Sequence, residues 1–101
     1  MKLKSMLSTR LIVNYDNLFY HYHKDKLILL RSAYKQAIEF YEFGSLTYAQ
    51  LSFLFILKEC EVLLSSVESL SDLYVKTSSF IFEVKKSLSD CEKLSREIIC
   101  Q

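Results

Sequence analysis

The sequence predicts an all-α protein, and three observations support this prediction. The 101 residues include no proline and a single glycine, whereas β-rich domains need turn residues about every eight to twelve positions. Half of the residues are hydrophobic, which excludes a disordered chain. Apolar residues in the C-terminal half recur at a helical spacing. The chain is short enough to form one domain, residues 1–101.

Gly44 divides the chain into two helical segments. It takes a positive φ without steric cost, so a helix is expected to end beside it. Thr47 stands three residues before Gln50, which is the spacing of a capping box, so a second helix is expected to start there. The predicted elements are a helix over about 27–43, a turn at 44–46 and helical structure over about 47–99, with residues 1–26 helical on a less regular pattern.

The first segment carries an approximate helical stripe, and the second carries the most regular pattern in the chain. In the second, positions alternately four and three residues apart form a seam, and a 3.5-residue period is typical of coiled-coil packing. The stripe comprises Ile12, Tyr15, Phe19, Tyr22, Leu27, Leu30, Tyr34, Ala37 and Tyr41. The seam comprises Ala49, Phe53, Ile56, Cys60, Leu63, Val67, Leu70, Tyr74, Thr77, Ile81, Val84, Leu88, Cys91, Ser95 and Ile98.

Further apolar residues flank the seam and widen it enough to pack against two neighbours, whereas the opposite face is polar. The flanking residues are Leu57, Leu64, Leu73, Phe80, Leu94 and Ile99, and the polar ones are Lys58, Ser65, Asp72, Ser79, Lys86 and Lys93. Ser69, Ser71 and Asp72 favour a break into two helices, whereas the unbroken seam favours one rod. The predicted fold is therefore an all-α helical hairpin or a small bundle of three to four helices, with coiled-coil-like packing in the C-terminal half.

Composition argues against several functional classes. Thirteen basic and twelve acidic residues give a net charge of +1, whereas nucleic-acid binders concentrate a basic excess on one face, so no nucleic-acid partner is expected. The charge-free run at residues 43–57 falls short of the ~20 apolar residues that cross a bilayer. One glycine allows no phosphate-binding loop. Nucleophilic catalysis needs a base placed against Ser or Cys, whereas Cys60 and Cys91 fall on the apolar seam, where a thiol behaves as a small hydrophobe. We expect no enzyme, no catalytic residues and no cofactor.

The stretch LFYHYHKDK at residues 18–26 holds both histidines. Metal-binding pairs on helices are three or four residues apart, whereas His21 and His23 are two apart and point about 200° away from each other. No metal site is predicted. Phe19, Tyr20 and Tyr22 are expected in a core or interface rather than stacked on bases, because the chain as a whole is nearly neutral.

The cysteines favour a reducing, intracellular and cytoplasmic setting. Cys60, Cys91 and Cys100 are odd in number and far apart, with no metal-binding spacing. The seam cysteines are expected to be buried with protonated thiols. The N-terminal stretch is basic and has no acid before Asp16, so organelle targeting is the alternative for this segment.

Two stretches partly resemble known families. Residues 48–64 (YAQLSFLFILKECEVLL) resemble the second helix of small type III secretion needle co-chaperones in their leucine spacing. Residues 29–40 (LLRSAYKQAIEF) resemble the signature of the LYR-motif family of small mitochondrial three-helix adaptors, with Leu30 in place of the tyrosine and matches at Leu29, Arg31, Lys35, Ala37 and Phe40. Neither family is assigned, because the tyrosine is absent and the leucine spacing is general.

The chain carries more apolar surface than one hairpin can cover. A second set, offset from the seam, consists of Leu54, Phe55, Val62, Val75 and Phe82, and such a patch left in water promotes association. We expect a protein–protein interaction module, a small helical subunit or adaptor of a larger complex, with a hetero-oligomer favoured over a homo-oligomer. The alternative is a small intracellular chaperone or immunity-type protein that masks one partner. The residues expected to bind a partner are Phe53, Leu54, Phe55, Ile56, Leu63, Leu70, Tyr74, Phe80, Ile81, Phe82 and Leu88.

Overall fold

The computed structural model describes the backbone of residues 2–69 and 71–99 and the side chains of residues 21–69 and 71–98. Within these residues the chain forms three helices and no strand: α1 (Lys2–Glu42), α2 (Leu46–Ser66) and α3 (Asp72–Ile99). The all-α prediction is therefore confirmed. Some residues named in the predictions lie outside this description. Leu70 and Cys100 are not described at all, and the side chains are not described for Ile12, Tyr15, Phe19, Tyr20 and Ile99.

A tight turn around Gly44 joins α1 to α2. Gly44 has φ +83°, and its N–H donates to the carbonyl of Tyr41 at 3.1 Å, while the N–H of Ser45 donates to the carbonyl of Phe40 at 2.8 Å. This pair of hydrogen bonds is the Schellman motif, which needs a left-handed residue after the helix. Glycine takes that conformation most readily, so α1 ends where the sequence predicted.

The predicted capping box at Thr47 and Gln50 is wrong. α2 begins at Leu46, with Ser45 at the N-cap and no capping hydrogen bond from its side chain. The N–H of Ala49 already donates to the carbonyl of Ser45 at 3.0 Å, so Thr47 lies inside the first turn. The backbone of Ser45 takes part in both the turn and the first hydrogen bond of α2, so α2 starts one residue earlier than predicted and without a side-chain cap.

Serines mark the break between α2 and α3. The hydroxyls of Ser65 and Ser66 donate to the carbonyl of Val62 at 2.8 and 2.9 Å, and Val67 is extended. Ser71 then caps α3, because its Oγ accepts a hydrogen bond from the N–H of Tyr74 at 3.1 Å. Local bonds of this kind compete with the helix backbone, so two shorter helices form instead of one rod.

α2 lies between the other two helices: it packs along both α1 and α3, which contact each other less. α1 has 41 residues and α2 has 21, so they are about 61 and 31 Å long, and α2 covers only half of α1. Because the turn is short, this is the C-terminal half. The molecule is accordingly elongated, 74 × 23 × 14 Å.

The seam supplies most of the core. Its buried members are Ala49, Phe53, Ile56, Cys60, Leu63, Thr77, Val84 and Cys91, and Val67, Tyr74, Ile81, Leu88 and Ser95 are partly buried. Three flanking residues are also buried, at Leu57, Leu73 and Phe80, because the wider stripe meets a second neighbour. The predicted polar face is exposed throughout. Ile98 and Tyr22 depart from the pattern, since both are exposed.

Candidate protein-binding surface

Ten of the eleven residues expected to bind a partner fall into three groups, and the eleventh, Leu70, lies outside the described residues. Four lie in the chain's own core with at most 1% of their surface exposed: Phe53, Ile56, Leu63 and Phe80. Three are partly buried: Tyr74, Ile81 and Leu88. Three are exposed: Leu54, Phe55 and Phe82. A partner could reach the first group only if the helices separated, so the structure places these four inside the chain rather than on a docking surface.

The burial of Phe53 and Phe80 has a specific cause. Both rings pack on Tyr34 of α1, with ring centroids 5.9 and 5.5 Å from that of Tyr34. The guanidinium of Arg31 lies 5.4 Å from the Phe80 ring centroid, within cation–π range. The sequence pattern of α3 indicates that Phe80 is apolar and inward-facing, but not that α1 is the element that covers it.

An apolar surface does remain open, along the side where α1 and α2 meet. Ala33 and Gln36 of α1 and Tyr48, Leu51 and Phe55 of α2 line a groove there, and the rings of Phe40 and Tyr48 lie 6.0 Å apart. By helical register, Leu29 and Val62 extend the same surface. We call this surface the α1/α2 face, and it comprises Leu29, Ala33, Gln36, Phe40, Tyr48, Leu51, Phe55 and Val62.

Sequence reasoning missed most of this face, although a signal is present. Tyr48, Phe55 and Val62 are seven residues apart, with Leu51 between the first two, so they form a second 3.5-residue stripe beside the seam. Tyr48, Leu51 and Phe55 are all more than half exposed. A helix with two apolar stripes can pack on two sides at once, and only one side of α2 is filled by α1 and α3.

The residues that line the groove of the α1/α2 face carry no charge. Lys26 of α1 and Glu59 of α2 form an ion pair at 2.8 Å, and the pKa of Lys26 is raised because its ammonium donates a hydrogen bond to that carboxylate. The polar groups that line the groove, Gln36 and Ser52, are uncharged. The face therefore offers shape and apolar contact rather than electrostatic attraction.

A smaller apolar set lies elsewhere, on α3 and the adjoining part of α2. Phe82 is 75% exposed, and Val75, seven residues before it, is about half exposed. Leu54 of α2 is 47% exposed and points away from the α1/α2 face by helical register. Together with Phe55 and Val62, these are the residues of the predicted second set, and the fold leaves all five uncovered.

The two cysteines that the structure describes, Cys60 and Cys91, are both buried. Burial, with Glu59 and Glu61 nearby, raises the pKa of Cys60 to about 11, and burial also raises the pKa of Cys91. The predicted burial is thus confirmed for both cysteines, and the raised pKa favours the protonated thiol. Within the described part of the chain, no group of three or more His, Cys, Asp or Glu residues is placed to hold a metal ion.

Two further findings complete the description of the chain. None of the helices in its described part combines the length and apolar character that crossing a bilayer requires. Comparisons with protein families, with curated proteins and with solved structures find no match. What the chain does must therefore be inferred from its own surface.

Proposed function

We propose that this chain is a protein–protein interaction module, a small helical subunit or adaptor of a larger protein assembly. The observation that carries the proposal is the set of large apolar side chains left open after three helices have packed. Tyr48, Leu51 and Phe55 are neighbours on the α1/α2 face, and each is more than half exposed. Phe82 of α3 is 75% exposed on a separate surface. Single exposed apolar residues are ordinary, but contiguous apolar surface is typical of binding sites.

The packing between α2 and α3 is proposed to be coiled-coil-like. Seam residues of both helices are buried at the 3.5-residue period that such packing requires, for example Phe53, Ile56 and Cys60 in α2 and Thr77 and Val84 in α3. A regular seam gives a stiff scaffold, and a stiff scaffold presents an interaction surface at little entropic cost on binding. This scaffold would hold Phe55 and Phe82 in fixed positions.

The intracellular setting is also a proposal, and the cytoplasm is our choice of compartment. Cys60 and Cys91 are free and buried, and free thiols of this kind are typical of reducing compartments. Burial raises the pKa of both thiols, which favours a packing role over a nucleophilic one. We therefore propose a binding protein rather than an enzyme, with neither a metal nor a cofactor.

The second candidate is a chaperone or immunity-type protein that masks one partner. The fold allows this because the chain has an aromatic core of its own, built from Tyr34, Phe53 and Phe80. The two candidates differ in stoichiometry and in dependence on the partner. A masking protein folds alone and forms a 1:1 complex, whereas a subunit reaches its full stability only inside its assembly.

Quantitative co-purification from the cell of origin tests the proposal. The tagged wild-type chain is expected to recover a stoichiometric protein partner, which is identified by mass spectrometry. The double variant Phe55→Glu/Phe82→Glu is expected to lose that partner, because a buried carboxylate without a counter-charge opposes binding. Retention of the same partner by this variant would contradict the proposed surface.

A matched control uses the polar side of the molecule. Lys35→Glu/Lys93→Glu introduces the same two carboxylates at exposed positions. Lys35 lies on the side of α1 away from the α1/α2 face by helical register, and Lys93 lies about three turns beyond Phe82. This variant is expected to recover the partner as the wild type does, although its overall charge changes more. If the two double variants lose the partner equally, the effect is one of net charge and the apolar surfaces are not responsible.

A further inference from the structure

We draw no further inference here: the strongest candidate, the apolar α1/α2 face around Tyr48, Leu51 and Phe55, is left open by the chain's own helices, and nothing in the structure shows what covers it.

Discussion

The hydroxyl of Tyr34 on α1 lies 2.6 Å from Oγ of Ser87 on α3. The same tyrosine ring contacts Phe53 of α2 and Phe80 of α3, so one side chain joins all three helices. α1 and α3 otherwise contact each other less than either contacts α2. Tyr34 therefore helps to hold α3 close to α1, together with the guanidinium of Arg31 on the Phe80 ring.

Replacing Tyr34 tests this role in two steps. Tyr34→Phe keeps the ring contacts but removes the hydrogen bond to Ser87, and it is expected to lower the free energy of unfolding by about 0.5–1.5 kcal/mol. Ser87→Ala should have an effect of similar size, and a double-mutant cycle in urea should show coupling between the two. Additive effects without coupling would mean that the hydroxyl groups do not interact.

Phe53 and Phe55 stand two residues apart on α2 and face opposite environments. Phe53 is fully buried, so Phe53→Ala is expected to lower the free energy of unfolding by about 3–5 kcal/mol. Phe55→Ala should change it by no more than about 0.5 kcal/mol at low chain concentration, where association does not contribute. Urea denaturation followed by circular dichroism measures both. Equal losses would mean that the register of α2 is wrong.

Gly44 carries the turn between α1 and α2. Because its φ is +83°, Gly44→Ala is expected to cost about 1–2 kcal/mol of stability, since a Cβ disfavours left-handed backbone. A Cβ there would meet no neighbouring atom, so the cost arises from the backbone alone. Gly44→Asn is the control and should cost less, because asparagine tolerates this conformation. An alanine variant as stable as the wild type would contradict the turn.

Cys60 makes stability depend on pH in the alkaline range. The thiol has a pKa of about 11 in the folded chain against an ordinary 9.0, and below about pH 9 it is protonated in both states. Between pH 9 and 11 only the unfolded chain loses the proton, so the free energy of unfolding should fall by on the order of 2 kcal/mol.

Chemical denaturation between pH 8 and 11 checks this dependence on Cys60. Cys60→Ala lowers stability near neutral pH by leaving a cavity, but it removes the titrating thiol. The difference in stability between the wild type and this variant should therefore narrow as the pH rises. A difference that stays constant across the range would show that the thiol ionises alike in both states.

Much of the core was predictable from sequence, because one periodicity extends across α2 and α3. Buried residues such as Ile56, Cys60 and Val84 follow directly from the 3.5-residue spacing. The break between the helices was one of two alternatives, since the seam continues in register while Ser65, Ser66 and Ser71 make local hydrogen bonds. Periodicity alone does not show which of these effects prevails.

The candidate site was harder to predict, for a physical reason. Phe55 and Phe80 are equally apolar, and their exposure depends on where α1 lies, which the pattern of α2 and α3 does not contain. α1 covers Phe80 through Tyr34 and Arg31 and leaves Phe55 at the edge of a groove. A stripe of apolar residues on a helix predicts that another helix packs on it. The topology decides whether that helix belongs to this chain or to another one.

Sedimentation of the chain in an extract of its cell of origin tests most directly whether it acts by binding other protein chains. The molecule is elongated, 74 × 23 × 14 Å, and elongation only slows sedimentation, so faster movement than the purified Phe55→Glu/Phe82→Glu monomer requires a larger particle. We predict that the endogenous chain moves in such a particle, well above its own 11.9 kDa. An endogenous chain that sediments with that monomer would contradict this account.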